Sequence, residues 1–454
     1  MSSTRINYQV QPGGTLAGHL RVPGDKSISH RCVMLGALAQ GVTEVTGLLE
    51  GEDVLSTLAA FRAMGVRAEG PHEGRLIVHG VGLHGLKKPA AMLDMGNSGT
   101  AMRLMAGILA GQSFDTELSG DDSLRKRPMG RVSTPLTAMG AAIHTAVGGR
   151  PPLRIIGGQK LHSIDYTMPM ASAQVKSALL LAGLYAEGET VVTEPAPTRD
   201  HTERMLRGFG YAVDTAGARI RLRGGGTLQA CAIDVPGDIS SAAFFLVGAA
   251  ITPGADVVLE HVGINPTRIG VLNILERMGA TLALRNRREA GGEPVADIHV
   301  RGGRLHGIVI PTDQVPLAID EFPALFIAAA CAEGETLLTG AEELRVKESD
   351  RIAVMAAGLR RLGIEARETP DGMVIQGGQL RGGAVDSHGD HRIAMAFAMA
   401  ALRAEGLLAS MTAKMSPPRS RILSPWRPAP GLRSALSPIH DDTGGDHRWP
   451  RGFG

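Results

Sequence analysis

The chain has 454 residues, 43% of them hydrophobic, and its 47 Lys and Arg side chains nearly balance 45 Asp and Glu side chains. This length predicts two or three domains with sizeable cores, and the near-neutral charge excludes the bulk basic surface typical of proteins that bind nucleic acid or anionic membranes. The three cysteines form no CxxC pair and the start of the chain has no apolar signal segment, so we expect a cytoplasmic protein without a disulfide framework or a zinc ribbon.

Five amphipathic stretches end in the same way, with an apolar residue and a glycine followed by strand-like sequence. The glycines are the expected helix C-caps, spaced 75, 70, 69 and 84 residues apart: Gly65, Gly140, Gly210, Gly279 and Gly363. In the first unit a helix over 25–39 leads to a strand over 43–48, a helix over 53–65, and short strands over 66–70 and 75–80. The sequence therefore predicts a repeated βαβαββ-like module.

A sixth unit begins at residue 386, but neither a helical nor an alternating period continues after residue 406. We interpret residues 403–454 as an atypical tail, which is either disordered or the product of a shifted reading frame.

The first helix of each unit is predicted to begin with Asp, Ser or Asn, which cap the free N–H groups of a helix N-terminus. The same segments carry cationic side chains: Lys26, Arg31, Arg103, Lys176, His391 and Arg392. If three tips from each half face one cleft, their partial positive charges add to these cations. We therefore infer a substrate with more than one phosphate or carboxylate group.

Nine motifs follow one another along the chain: VPGDKSISHR (22–31), MGNSGTAMRL (95–104), LRKRPMGRV (124–132), ASAQVKSALLLAGL (171–184), PTRDHTERML (197–206), NPTR (265–268), IDEFP (319–323), RVKESDR (345–351) and GDHRIAMAF (389–397). Together they closely resemble the 5-enolpyruvylshikimate-3-phosphate synthase family of enolpyruvyl transferases, from about residue 10 to residue 402. GDK, SAQVK, RDHTE and NPTR are similar to the class II branch, many of whose members tolerate glyphosate. With Leu104 in a position where sensitive class I members usually have proline, we expect partial glyphosate tolerance.

The resemblance implies a two-domain, inside-out α/β barrel built from six βαβαββ-type repeats, with the sixth atypical. One discontinuous domain would comprise residues 1–22 and 236–402, and the other residues 23–235. The chain would cross between them at Pro23 and Pro236, each within a VPGD turn signal. In the family a further strand and a closing helix complete the sixth repeat, but SMTAKMSPPRSR stands there, so the repeat is expected to be incomplete and Lys414 receives no role.

The family's reaction joins the 5-hydroxyl of shikimate 3-phosphate to C2 of phosphoenolpyruvate and releases phosphate through a tetrahedral intermediate, which makes the chain a transferase of aromatic amino acid biosynthesis. No metal or organic cofactor is implied. The chemistry needs an acid and a base beside a cation, and by resemblance Lys26, Asp320 and Glu348 are the catalytic residues.

Two sets of binding residues follow from the same resemblance. Guanidinium groups suit the phosphate and carboxylate of phosphoenolpyruvate, and the residues expected to bind this substrate are Lys26, Asn97, Gly99, Thr100, Arg127, Gln174, Lys347, Arg351, His391 and Arg392. The residues expected to bind shikimate 3-phosphate are Lys26, Ser27, Arg31, Ser172, Ala173, Gln174, Arg199, Asp320 and Lys347, and Lys176 is a weaker candidate. The partners are these small molecules, with no nucleic acid or membrane, and the protein is expected to be a monomer.

Three alternatives stay open. The chain could be the related transferase that acts on UDP-N-acetylglucosamine through a loop cysteine, although the sequence around Cys32, Cys231 and Cys331 is typical of core positions. It could be a catalytically impaired relative that only binds shikimate 3-phosphate. The DSHGDH segment (386–391) could also be a metal cluster.

Overall fold

A computed structural model describes residues 4–415 and 436–438, with side chains described for residues 9–408. The helices of this part of the chain are α1 (Lys26–Leu38), α2 (Glu52–Ala63), α3 (Gly99–Ala110), α4 (Asp122–Arg125), α5 (Gly130–Ala138), α6 (Ala173–Gly183), α7 (His201–Gly208), α8 (Ile239–Ile251), α9 (Gly270–Arg277), α10 (Phe322–Ala330), α11 (Arg351–Arg361) and α12 (His391–Ala400). Two short 3-10 helices span Thr312–Gln314 and Glu342–Val346.

The strands are β1 (Thr4–Val10), β2 (Ala17–Leu20), β3 (Ala39–Thr46), β4 (Arg67–His72), β5 (Arg75–Val81), β6 (Leu93–Asp94), β7 (Thr116–Ser119), β8 (Ala142–Ala146), β9 (Arg150–Ile156), β10 (Asp165–Thr167), β11 (Glu189–Thr193), β12 (Asp214–Ala216), β13 (Arg219–Arg223), β14 (Leu228–Gln229), β15 (Ala232–Asp234), β16 (Asp256–Gly263), β17 (Thr281–Ala290), β18 (Glu293–Arg301), β19 (Glu335–Leu338), β20 (Glu365–Thr369), β21 (Gly372–Gln376), β22 (Gly383–Ala384), β23 (Leu408–Met415) and β24 (Leu436–Pro438). They form six sheets, with the strand orders β14-β3-β5-β4 (β15 also pairing with β3), β6-β7-β9-β8, β10-β11-β13-β12, β17-β18-β16-β2, β19-β21-β20 and β22-β23-β1-β24.

Five of the six sheets share one pattern of strand pairing, and in the three-stranded sheet β19-β21-β20 isolated parallel bridges such as Val309 to Leu337 take the place of the entering strand. In the second unit, for example, β6 enters parallel to β7, and β7 pairs antiparallel with β9, which pairs antiparallel with β8. The third unit repeats this pattern with β10, β11, β13 and β12. The repeated βαβαββ-type module is thus confirmed.

Helices lie inside this architecture and sheets outside. All nine residues of α10 are buried, as expected for a helix that is apolar on every face, and 11 of the 13 residues of α1 are buried, including the polar Ser29, His30 and Arg31. Strand β13, by contrast, alternates exposed arginines with buried Ile220 and Leu222, because only one face of its sheet meets the core. This arrangement is the inside-out α/β barrel that the resemblance implies.

The glycines that mark the repeat occupy the predicted helix ends. Gly65, after α2, has a φ of 88°, and the N–H of Val66 donates to the carbonyl of Phe61 at 3.0 Å. This is the Schellman cap, which requires a left-handed residue that glycine adopts without steric strain. The other four follow α5, α7, α9 and α11 with φ of 95°, 76°, 92° and 84°: Gly140, Gly210, Gly279 and Gly363.

The sixth unit continues further than its sequence pattern indicates. We expected no strand after residue 406, and this expectation is wrong, because Leu408–Met415 forms β23 between β22 and β1. Strand β1, from the start of the chain, pairs antiparallel with β23 and takes the place that β9 has in the second unit. The pairing partner of β23 therefore comes from the other end of the chain, so the sequence around β23 alone does not indicate a strand. The predicted disordered or frameshifted tail spans residues 403–454, of which 403–415 and 436–438 are described and the rest lie outside the described residues.

Two hydrophobic cores divide the chain near its two VPGD turns. One core takes residues from 10–22 and 239–408, and the other takes residues from 28–235. Between them the turns pair reciprocally: the N–H of Asp25 donates to the carbonyl of Pro236 at 2.8 Å, and that of Asp238 to Pro23 at 2.9 Å. We call the two parts the 28–235 lobe and the 239–408 lobe. Among the described residues, no helix has the length and apolarity needed to cross a bilayer.

Candidate functional site

The N-termini of α1, α3 and α6 are capped as predicted. Asp25 Oδ1 accepts a hydrogen bond from Ile28 N at 2.9 Å, Ser98 Oγ from Ala101 N at 3.1 Å, and Ser172 Oγ from Val175 N at 3.4 Å. Lys26, Gly99 and Ala173 are therefore the first residues of their helices. Each of these predicted site residues lies at the positive end of a helix.

Gln174 joins the tips of α3 and α6. Its Oε1 accepts from Arg103 Nη1 at 2.6 Å, and its Nε2 donates to Thr100 Oγ1 at 3.0 Å. On the other side of the α3 tip, Arg127 Nη2 donates to Asn97 Oδ1 at 2.7 Å. A Cβ added at Gly99 would lie 2.8 Å from Arg103 Nη1 and 3.2 Å from Arg127 Nη1. The α3 tip is therefore flanked by two guanidinium groups that contact predicted phosphoenolpyruvate residues.

Two of the predicted cations point into the 28–235 lobe. Arg31 is 4% exposed and donates to Ser27 O, Ser177 Oγ and Thr202 Oγ1 at 2.7–2.9 Å, and burial lowers its pKa to about 10. Lys176 is fully buried, with Nζ 2.7 Å from Glu203 and 3.0 Å from Glu194. The contacts of Arg31 link Ser27, α6 and α7, so both cations brace these helix tips from inside.

The N-terminus of α10 differs from the prediction of an Asp, Ser or Asn cap. The cap position belongs to Glu321, which makes no capping hydrogen bond with its side chain, and Pro323 occupies the first turn. Proline has no N–H group, so a proline in the first turn leaves one fewer N–H group in need of a hydrogen-bond partner. Asp320, which was predicted to be near the cap, is instead free to face cations from other elements.

Asp320 is the meeting point of four cationic side chains. Its carboxylate lies 2.5 Å from Arg199 Nη2, 3.7 Å from Lys347 Nζ and 3.6 Å from Arg351 Nη1, and its carbonyl accepts from Arg392 Nη1 at 3.2 Å. Burial opposes ionisation, but the charges of Arg199, Arg392 and Lys347 together hold the pKa of Asp320 well below its ordinary value. Since Arg199 comes from the 28–235 lobe, this site joins both lobes.

Glu348 lies beside the same cluster in a more open setting. Its side chain is 54% exposed, and Oε2 accepts from Arg351 Nη2 at 2.6 Å. Burial works to raise the pKa of Glu348, but the charges of Arg351 and Arg392 and a backbone hydrogen bond together outweigh it, and the pKa is lowered. Arg351 is itself 1% exposed and held by Asp390, the cap of α12, at 2.9 Å from Nε. The next two residues after that cap are His391 and Arg392.

Lys26 lies at the tip of α1, where Nζ is 3.1 Å from Asp53 Oδ2 and the side chain is 43% exposed. Lys347 ends the second 3-10 helix and pairs with Glu343 at 2.5 Å. Both ammonium groups are thus near enough to solvent to meet an incoming anion. The structure places the predicted residues on the tips of α1, α3, α6, α10 and α12 and on the segments beside them.

Sequence reasoning missed several residues of this region. Arg268 and Asn265, in the NPTR motif, received no role although they contact both lobes. Arg103 was counted only as a cation, yet it holds Gln174. The repeated VPGD sequence was the signal that could have pointed to Arg268. It places Asp25 and Asp238 at equivalent positions, and Arg268 contacts both of them. Across the described residues, residues 386–391 included, no group of three or more His, Cys, Asp or Glu side chains is arranged so that it could hold a metal ion.

Comparison with known proteins places this geometry among characterised relatives. The family model described as EPSP synthase (3-phosphoshikimate 1-carboxyvinyltransferase) matches residues 10–414, twelve residues beyond the expected end of the resemblance. A 3-phosphoshikimate 1-carboxyvinyltransferase from Methylococcus capsulatus is 69% identical over 404 residues, covering 89% of this chain and 92% of that protein. The same enzyme from Nitrosococcus oceani is 65% identical over 406 residues, covering 89% and 91%. A solved EPSP synthase from Acinetobacter baumannii superposes with a TM-score of 0.88 at 57% identity, covering 96% of this chain and all of that one.

Proposed function

Because the chain belongs to the EPSP synthase (3-phosphoshikimate 1-carboxyvinyltransferase) family, we propose that the helix tips of both lobes hold its two substrates around Asp320. The reaction transfers the enolpyruvyl group of phosphoenolpyruvate to the 5-hydroxyl of shikimate 3-phosphate and releases phosphate. The observation that carries the assignment of the site is the ionised Asp320 carboxylate, surrounded by cations from both lobes.

The phosphoenolpyruvate half of the site is built from guanidinium groups. Arg127 at the α3 tip donates to Asn97 and Ser123 through Nη2, and Arg392 at the α12 tip donates to the carbonyl of Asp320 through Nη1, so each guanidinium group keeps further N–H donors. Their planar donors match a phosphate or carboxylate in pairs. Backbone N–H groups at the tip of α3, around Gly99 and Thr100, and the side chains of Asn97, Lys347, Arg351 and His391 complete this half.

The shikimate 3-phosphate half lies on the 28–235 lobe. Ser27, Ser172, Ala173 and Gln174 are at the tips of α1 and α6, where hydroxyl and amide groups suit a polyol and free N–H groups suit its phosphate. Arg199 adds a positive charge to this half of the site. Arg31 supports this half by holding the carbonyl of Ser27 from below.

Asp320 is proposed to receive the proton of the 5-hydroxyl. In the free protein its neighbouring cations make it a weak base, because they favour the ionised carboxylate. Two anionic substrates would draw Arg199, Lys347 and Arg392 into their own ion pairs. The basicity of Asp320 then rises when both substrates are bound, so Asp320 accepts the proton only in the complex with both substrates.

Lys26 and Glu348 are proposed to move protons at the phosphoenolpyruvate carbon. Lys26 comes from the 28–235 lobe and Glu348 from the 239–408 lobe, so the pair is complete only when the lobes are together. We propose that these lobes are the two domains, 23–235 and 1–22 plus 236–402, and that substrates close them. We also propose a cytoplasmic location, which the three free cysteines support, and a monomeric protein.

Mixing the purified protein with both substrates tests the function. We expect phosphate release and a product that carries the enolpyruvyl ether, with neither formed when one substrate is withheld. Binding of shikimate 3-phosphate without phosphate release would instead establish the catalytically impaired relative. Release with UDP-N-acetylglucosamine in place of shikimate 3-phosphate would establish the other transferase.

We also propose partial glyphosate tolerance. Gly99 retains the space beside Arg103 and Arg127, so tolerance must arise from a shift of α3, in which Leu104 is fully buried. The measurement is the inhibition constant of glyphosate against phosphoenolpyruvate. A value well below the Michaelis constant for phosphoenolpyruvate contradicts tolerance.

A further inference from the structure

Arg268 is a buried arginine outside the predicted site that contacts helix tips of both lobes. It is 4% exposed. Its Nη1 lies 3.3 Å from Asp25 Oδ2, at the cap of α1, and its Nη2 lies 3.2 Å from Asp238 Oδ1, at the cap of α8. The two aspartates end the two VPGD turns where the chain crosses between the lobes. One guanidinium group therefore ties both crossings together.

The same guanidinium group reaches the tip of α10. Its Nη2 donates to Ser240 Oγ at 2.7 Å and lies 3.7 Å from Glu321 Oε1, and Ser240 Oγ donates to Glu321. Glu321 is the chain neighbour of Asp320, and Asp25 is the chain neighbour of Lys26. Arg268 thus contacts the residue next to each of two candidate catalytic groups that belong to different lobes.

One guanidinium group faces three carboxyl groups in this cluster, and burial raises the pKa of one of them, Glu321. Burial alone would lower the pKa of Arg268, but the carboxylates of Asp25, Asp238 and Glu321 raise it above its ordinary value. In return, although burial opposes ionisation, Arg268 is the largest of several groups, with His201, the N–H of Ile28 and Arg199, that together lower the pKa of Asp25 to about 2. A buried pair of this kind is strongly destabilised when one partner is removed, so its geometry is held closely.

A second contact from the same short segment repeats this arrangement. Asn265 Nδ2 donates to Asp200 Oδ1 at 2.7 Å and to Glu293 Oε2 at 3.0 Å, and Asp200 is the chain neighbour of Arg199. Asn265 Oδ1 accepts from Thr267 N at 2.9 Å, which closes the turn that carries Arg268. The NPTR segment of one lobe therefore holds both the α1 tip and the α7 tip of the other.

We propose that Arg268, assisted by Asn265, is a positioning residue that sets the separation of Lys26 and Asp320 when the two lobes are closed. This inference rests on the proposed function of the site. Arg268 itself touches neither substrate. It acts through Asp25 and Glu321, and its removal displaces the catalytic groups while leaving the shikimate 3-phosphate contacts of the 28–235 lobe in place.

The test compares Arg268→Gln, Arg268→Lys and the control Arg301→Gln, because the Arg301 side chain is 60% exposed and pairs with Asp256, which is also exposed. Binding of shikimate 3-phosphate by calorimetry gives the binding-competent fraction of each protein, and kcat from phosphate release is normalised to that fraction. We expect kcat of Arg268→Gln to fall by about 10²-fold, the loss that a misplacement near 1 Å produces. Its Kd for shikimate 3-phosphate should stay within about threefold of the wild-type value, because the contacts to this substrate remain. A tenfold change would mean a loss of about 1.4 kcal/mol of binding free energy.

Arg268→Lys retains the charge but not the fork that reaches several carboxylates, so its kcat should lie between those of the wild type and Arg268→Gln. Arg301→Gln should match the wild type in both quantities. If Arg268→Gln does not fold, Ser240→Ala removes a single hydroxyl acceptor and should lower kcat about fivefold, as the loss of ~1 kcal/mol implies.

Normalised kcat within threefold of the wild type for Arg268→Gln, or for Ser240→Ala where that variant replaces it, overturns the inference and reduces Arg268 to a structural role. A wild-type protein that binds shikimate 3-phosphate but releases no phosphate overturns the proposed function instead, together with the inference that rests on it.

Discussion

Asp320 and Glu348 are both proposed to move protons, yet their surroundings differ. Asp320 is enclosed by cations from three other elements, and its side chain is 17% exposed. Glu348 has one close cationic partner, Arg351, and its side chain is 54% exposed. The pKa of both carboxyl groups is lowered, although burial opposes this in each, but only Asp320 is held well below its ordinary value.

This difference separates two ways of controlling a carboxylate. Asp320 depends on charges that an anionic substrate can draw away, so its basicity responds to binding. Glu348 can exchange protons with solvent and turn toward a ligand, because half of its side chain is free. The basicity of Asp320 is therefore set by charges from both lobes, whereas proton transfer by Glu348 depends on its exposure to solvent and ligand.

Replacing Asp320 should have the largest effect. Asp320→Asn keeps the shape but removes the proton acceptor and leaves Arg199, Lys347 and Arg351 without their shared anion. We expect kcat to fall by about 10³-fold, within the range for losing a general base. Steady-state phosphate release measures it, and a thermal melt shows whether the variant is folded. A folded variant with wild-type kcat would remove Asp320 from the mechanism.

Glu348→Gln should follow, with kcat lower by about 10²-fold, since the group acts in proton transfer but anchors fewer neighbours. Its melting temperature should change less than that of Asp320→Asn, because only one ion pair is lost at a half-exposed position. A larger drop in melting temperature for Glu348→Gln than for Asp320→Asn would contradict the proposed difference between the two carboxyl groups.

Arg199→Gln removes the cation that contributes most to lowering the pKa of Asp320. We expect the Michaelis constant for shikimate 3-phosphate to rise by roughly tenfold, as the loss of a charge-assisted hydrogen bond predicts. Arg219→Gln is the matched control, because Arg219 pairs with Asp165 at an exposed position in β13. An unchanged Michaelis constant for Arg199→Gln would place shikimate 3-phosphate elsewhere.

The smallest expected effect is the order of titration in the free protein. As pH falls from 7, Glu348 should take up its proton below its ordinary value of 4.5 and Asp320 only further down, well below 3.8. Each lowered pKa contributes stability that is present above the unfolded pKa and lost as pH falls through the folded one. Carboxyl carbon NMR of wild-type, Asp320→Asn and Glu348→Gln proteins assigns the two steps. Protonation of Asp320 before Glu348 would contradict the electrostatic difference.

The repeat itself was predictable from the sequence because its signals are local. A glycine after an amphipathic stretch marks a left-handed cap wherever it occurs, and Gly65 and Gly363 both have that conformation. Ser98 and Ser172 cap their helices for an equally local reason. Local pattern alone could not distinguish Asp320 from such a cap, because its cationic partners come from distant segments, and only the family resemblance singled it out.

Strand β23 was missed for a related reason. Its pairing partner β1 lies about 400 residues away in the chain, so the register Ile6 to Ala413 has no local signature. The directions of Arg31 and Lys176 were also beyond local reasoning. Both stand at helix starts as Arg103 does, but each finds polar partners within the lobe interior.

The amino-acid sequence alone determined the repeated module, the caps of most helices and the family, since hydrophobic period, turn residues and motif order act over a few neighbours. Tertiary structure alone decided which charges meet. Asp320 joins cations from two lobes and Arg268 joins three helix tips because burial brings distant groups together, and the free energy of a buried charge depends on those partners rather than on its place in the chain.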